Sequence, residues 1–237
     1  MTSPAGGGAL STLLSVLQLA SPALPVGGFA YSQGLEQAIE AGVVGDEAAA
    51  LRWLGDLLEH GLARVEAPLW VCAHDAASAE NGELLVRIDR QLYAIRETAE
   101  LRAETRQMAA SLLRVFPALG LDLDAAPIAQ VELRTYPAVF AVACVRLDVG
   151  RESGLAAYLW AWLENQVLVV LKCVPLGQMA GQRLLRQLRP VLARAVGAAI
   201  ASAADVAAGG PPPAAALVGF ALACAAHETQ YSRLFRS

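Results

Sequence analysis

Lysine is nearly missing from this chain: Lys172 stands alone beside seventeen arginines in 237 residues. Charge of either sign is scarce, with Asp, Glu, Lys and Arg at 17% where a soluble domain usually carries about 25%. A net charge of −4 and a pI near 5.4 leave no concentrated basic surface to neutralise phosphates, which argues against a nucleic-acid partner. Cysteine is sparse as well. Cys72, Cys144, Cys173 and Cys224 lie far apart with no C-x-x-C pair, so neither a zinc ribbon nor a disulfide framework is indicated, and reduced thiols in a cytoplasmic protein are expected.

Chemical motifs are lacking too. The glycines of VGGFAYSQG have neither the offsets nor the Lys-Ser or Lys-Thr of a phosphate-binding loop, and no G-x-S-x-G nucleophile turn occurs. His60, His74 and His227 are scattered. Cys72 and His74 are two apart on a predicted helix, which points them about 200° apart and unfit to share one ion. No catalytic residue, cofactor or metal site is therefore predicted. The ten residues MTSPAGGGAL carry no Lys or Arg and do not read as a secretory signal. The long apolar stretches 155–174 and 191–224 are interrupted by Glu164, Asn165, Gln166 and Lys172 in the first and by Asp205 and Pro211 to Pro213 in the second, so no membrane span is expected.

What remains is apolar and helical. Apolar residues reach 56%, more than a core of this size needs, and some of that surface is expected to meet another protein. The spacing predicts an all-α, single-domain compact bundle of about ten helices. They are placed at 10–20, 33–41, 47–63, 66–79, 82–96 continuing to about 116, 127–135, 137–147, 154–173, 177–207 and 214–227. Residues 1–9 are expected as a flexible N-terminal tail, 10–227 as the helical domain and 228–237 as a C-terminal docking tail. Asp46 and Ser153 suit N-caps, Pro137 suits a first helical turn, and Gly120, Gly150 and Gly209 suit helix ends. Pro190 should kink or split its helix, and GGPPP at 209–213 reads as a linker.

Four places are less ordinary. SPALPVGGFAYSQGLE, residues 21–36, is a long connection for a bundle, whose links usually take about 2 to 8 residues. Its glycines allow a sharp turn, Ser32 could cap the next helix, and Phe29 and Tyr31 form either a protein-binding surface or a buried turn. RETAELRAETR, residues 96–106, reads as a solvated face of weak ion pairs. Tyr158, Asn165 and Lys172 recur every seven positions, as the solvent edge of a core helix or as a polar seam facing a partner. HETQYSRLFRS, at the end, sets Tyr231, Leu234 and Phe235 among Arg233 and Arg236, either a frayed tail or a docking peptide that orders on binding.

Taken together, LQLASPALPVGGFAYSQGLE, RETAELRAETRQMAASL, NQVLVVLKCVPLGQMAGQRLL and HETQYSRLFRS resemble the urease accessory protein UreF family. Ala30 departs from the family's usual serine in GGFSYS. The resemblance implies a non-enzymatic, all-helical, cytoplasmic adaptor that forms a homodimer and binds UreD (UreH) and the GTPase UreG, so that nickel reaches the urease apoprotein. It implies that Glu36, Lys172 and Arg233 lie on or near the UreG face. It also implies that Tyr231, Ser232, Arg233, Leu234, Phe235 and Arg236 become ordered against UreD and the dimer. Phe29 and Tyr31, held on the rigid connection, are expected to form a protein-binding surface with that tail. The competing readings are a helical enzyme acting on a small apolar substrate in an interhelical pocket, or a peripheral membrane protein.

Overall fold

A computed structural model describes residues 6–121, 131–208, 210 and 217–237. Among the described residues it contains ten α-helices and no strand. The first half of the chain supplies α1 (Gly6–Leu19), α2 (Leu35–Glu40), α3 (Glu47–Asp56), α4 (Glu66–Ser78), α5 (Gly82–Ala94) and α6 (Ala99–Val115). The second half supplies α7 (Tyr136–Arg146), α8 (Arg151–Cys173), α9 (Gln178–Ala207) and α10 (Val218–His227). A π-helical turn, Leu57–Leu62, prolongs α3 and completes the helix expected over 47–63.

α4 lies at the centre, packed on α5, α7, α8 and α9. Helices apolar on every side belong in such a position, and both α4 and α7 are buried over nearly their whole length. Trp70 of α4 is fully buried and stacks on Tyr158 of α8 at 6.3 Å, while Phe140 of α7 meets the same tyrosine edge-on at 5.4 Å. Gly154 permits this approach, since a Cβ there would fall 2.8 Å from the Trp70 ring and 2.9 Å from Cys144 Sγ. The Tyr158 hydroxyl donates to Glu66, and Arg96 closes on the other oxygen of that carboxylate. The trio pairs the Tyr158 hydroxyl and the Glu66 carboxylate, which would be costly to leave alone inside a core.

Several expected boundaries shift for local reasons. α5 does not continue into α6: Thr98 turns extended and its hydroxyl caps the Leu101 N–H at 3.2 Å, so the chain breaks at 95–98 and drops Arg96 inward. No helix covers 131–135; residues 127–130 of that expected helix lie outside the described residues. The buried Asp89 carboxylate takes the Arg134 and Thr135 N–H groups at 3.1 and 2.9 Å and the Thr135 hydroxyl at 2.6 Å, which holds this strip extended until α7 begins with Pro137 in its first turn. Asp46 caps α3 as expected, accepting from Ala49 N at 2.7 Å. Ser153 caps nothing, because α8 starts earlier, behind Gly150. α9 runs unbroken through Pro190, braced along α8, α4 and α3. Gly209 and Pro211 to Pro213 lie outside the described residues.

Among the described residues α8 alone is long and apolar enough to cross a membrane, and over half of its apolar window is buried inside the protein. α1 shows the reverse. Leu10, Leu13, Leu14 and Leu17, at helical spacing, are all more than half exposed.

Candidate functional site

The long connection and the last residues of the chain meet each other. After Pro22 and Pro25 the backbone turns left-handed at Gly27, makes one 3-10 turn at Gly28–Ala30, then runs extended through Tyr31. It turns left-handed again at Gln33 and Gly34, with φ of 52° and 75°. Gly34 is required for two reasons. Its φ suits glycine, and a Cβ would sit 2.8 Å from the Cys224 nitrogen of α10. Gln33 has no such freedom and is held by its side chain, which donates to Glu104 at 2.6 Å and accepts from the Trp162 indole at 2.7 Å.

The bend forms a seat for the C-terminal segment. The N–H groups of Ser32 and Gln33 converge on the main-chain oxygen of Ser237 at 2.6 and 2.9 Å, and the Ser32 hydroxyl joins them at 2.5 Å. Ser32 is therefore a clamp on the segment and not the cap of α2, whose N-cap is Gly34. Arg236 N donates to Ala30 O at 2.8 Å. Glu36, in the first turn of α2, turns inward and accepts Leu234 N at 2.7 Å and Phe235 N at 3.1 Å. The Phe235 ring is buried under Lys172, whose Nζ lies 5.2 Å from the ring centre. Arg233 Nη1 reaches Glu100 Oε1 at 2.5 Å.

Of the residues expected on the UreG face, all three thus belong to one seam, but Glu36 is buried beneath the segment while Lys172 and Arg233 stay exposed. The expected loop pair separates: Phe29 is 67% exposed and Tyr31 only 6%. Within the tail, Tyr231, Ser232, Arg233, Leu234 and Arg236 face outward and Phe235 inward. The tail is seated on its own chain. The seven-residue stripe is likewise not a solvent edge. Tyr158 is in the core, Asn165 donates to Tyr31 O at 3.0 Å and Lys172 covers Phe235, so the polar seam faces the connection and tail of the same chain.

The 96–106 stretch departs most from its solvated reading. Glu104 is buried and takes both Gln33 and the Ser237 hydroxyl, the latter at 2.7 Å. Burial raises its carboxyl above the usual range, against the pull of those two donors. Burial first and Glu104 second also push the Tyr31 phenol up, with the Arg236 guanidinium opposing. The signal was present in the spacing, since Glu104 shares a face with Leu101, Thr105 and Leu112. His227 and Gln33, also in the seam, carried no such signal.

Beside the seam, beneath Gly28 and Phe29, lies a cavity of about 110 Å³ reaching Arg96, Glu104 and Tyr158. All four cysteines are free, and Cys72, Cys144 and Cys224 are buried. Burial pushes their thiols up, which makes them poor nucleophiles.

The residues of this seam come from the segments that carry the UreF resemblance, and wider comparison agrees. The UreF family model matches residues 44–189. The chain belongs to the UreF family. The urease accessory protein UreF of Bordetella parapertussis is 48% identical over 225 residues, covering 93% of this chain and 100% of that protein. That of Azoarcus sp. strain BH72 is 47% identical over 243 residues, covering 100% and 99%. A bifunctional urease accessory protein UreEF of Bordetella bronchiseptica is 48% identical over 229 residues, and there the chain spans 52% of the longer relative. As a UreF the chain is a urease accessory protein and not an enzyme.

Proposed function

We propose that this UreF works in the cytoplasm as a homodimeric adaptor that binds UreD (UreH) and recruits the GTPase UreG, so that nickel is delivered to the urease apoprotein. The observation that carries this reading is the single seam joining Lys172, Arg233 and the buried Glu36 to the C-terminal segment. In it Glu36 acts as the anchor that holds the segment in place, while Lys172 and Arg233 present charge to UreG. Tyr231 and Leu234, fully and largely exposed, offer the apolar anchors that protein interfaces favour. The exposed leucine row of α1 is a second surface of the kind an assembly covers.

Deleting residues 228–237 from the chain co-expressed with tagged UreD and UreG tests this. Loss of the co-purified complex with helicity kept is the expected result. A truncated chain that still recovers both partners in normal amounts would make the segment dispensable and remove the seam from the binding surface.

A further inference from the structure

His227 ends α10 with no exposed surface and with a carboxylate at each ring nitrogen. Glu100 Oε2 lies 2.8 Å from Nδ1 and Glu36 Oε2 lies 3.3 Å from Nε2. An imidazole with one proton can donate one of these bonds only, and an ionised carboxylate donates none. Both contacts become hydrogen bonds to ionised carboxylates when the ring carries a proton on each nitrogen. Glu36 also holds the Leu234 and Phe235 N–H groups, and Glu100 also holds Arg233. The anchors of residues 233–235 therefore share their acids with this one ring.

The charges around the ring come from every side. α2 contributes Glu36, and α6 contributes Glu100 with Glu104 one turn on. α10 itself carries Cys224, and Glu228 just beyond accepts Glu100 N at 3.2 Å. The terminal segment brings Arg233, whose Nη1 is also 3.4 Å from His227 O. α8 brings Lys172, over Phe235, and Cys173, whose thiol is pushed up by burial and secondarily by Glu36. A doubly protonated ring and Arg233 balance the two contacting carboxylates. A neutral ring leaves Arg233 on Glu100 and leaves one of the two carboxylates facing a lone pair.

We propose that His227 is a proton-operated clasp: gaining its second proton tightens the C-terminal segment on residues 30–36, and losing it loosens the segment. The clasp regulates the seam assigned above to partner binding, but its operation needs no partner, so its failure is distinguishable from failure of the adaptor reading.

Amide hydrogen exchange at Leu234 and Phe235 in the purified full chain, corrected for intrinsic exchange, tests this between about pH 5 and 8, with the ring followed by NMR. Protection should fall about tenfold as the ring loses a proton, the size expected for a hydrogen bond to a charged group. His227→Gln should abolish that step. Glu100→Gln, at a half-buried position where a folded product is easier to secure, should shrink the step, because one carboxylate fewer then faces the ring. The proposal is overturned if protection in the unaltered chain is independent of pH, if His227→Gln shows the same step, or if Glu100→Gln leaves the step at full size.

Discussion

The interior where α4 meets α7 and α8 and the seam where residues 30–36 hold the C-terminal segment are stabilised in opposite ways. The interior is a cluster of rings and aliphatic side chains in which Trp70, Phe140 and Tyr158 touch one another. Its main-chain bonds are spent within its own helices. In the seam two aromatics, Tyr31 and Phe235, are buried, and the rest is held by main-chain groups: two N–H groups on Glu36, one on Ala30 O, and Ser237 O in the grasp of Ser32 and Gln33. Apolar burial is non-directional and tolerates small shifts, whereas hydrogen bonds to fixed main-chain positions specify a path. A surface that presents Tyr231, Arg233 and Leu234 in one arrangement calls for the second kind of support.

The largest effect should come from breaking the interior. Trp70→Ala removes a fully buried ring packed between α4, α7 and α8, and a loss of about 3 to 5 kcal/mol is expected, measured by denaturant unfolding. Helicity and segment protection should fall together in that variant. If the terminal segment kept its exchange protection while α4 and α7 melted, the seam would be independent of the interior, contrary to its anchoring on α2, α6 and α8.

Gly34→Ala attacks the seam with the interior left alone. The new Cβ meets α10 backbone at 2.8 Å and must occupy a positive φ, so either Gln33 and Gly34 rearrange or α10 moves away. A smaller loss, about 1 to 3 kcal/mol, is expected from such strain. Far-ultraviolet circular dichroism should stay nearly unchanged while the Leu234 and Phe235 amides exchange faster. Equal protection in the variant and the parent would show that the turn does not govern the seat.

The same contrast explains what could be read without coordinates. The spacing locates α4, α8 and α9 within about three residues of where they lie, because each stays apolar at helical intervals over several turns. The break at 95–98 was hidden, since Arg96 and Glu104 look like surface charges until Glu66 and the tail are known to meet them. The extended strip before α7 depends on Asp89, which is 46 residues from the Thr135 it holds. The seam was legible as four unusual segments but not as one object. Glu36 and Phe235 are 199 residues apart, and periodicity carries no information about which main-chain donor a distant carboxylate will take. The stripe on α8 stands out by its spacing, but the spacing offers only a solvent edge or a partner, and Asn165 and Lys172 meet Tyr31 and Phe235 of this chain instead.

Lys172→Ala should have the smallest effect on stability and separates holding the segment from meeting the partner. The ammonium is exposed and its contact with the Phe235 ring is a cation–π pair at 5.2 Å, worth about 0.5 kcal/mol at such a site. Phe235 N remains on Glu36 in the variant, so segment protection should change little. Recovery of UreG in a pull-down should nevertheless drop, because the one compact, mobile cation beside the seam has been removed and arginine's planar fork could not take its place. If UreG is recovered at the parental level, Lys172 merely packs over Phe235 and recruitment depends on Arg233 and the outward residues of the segment.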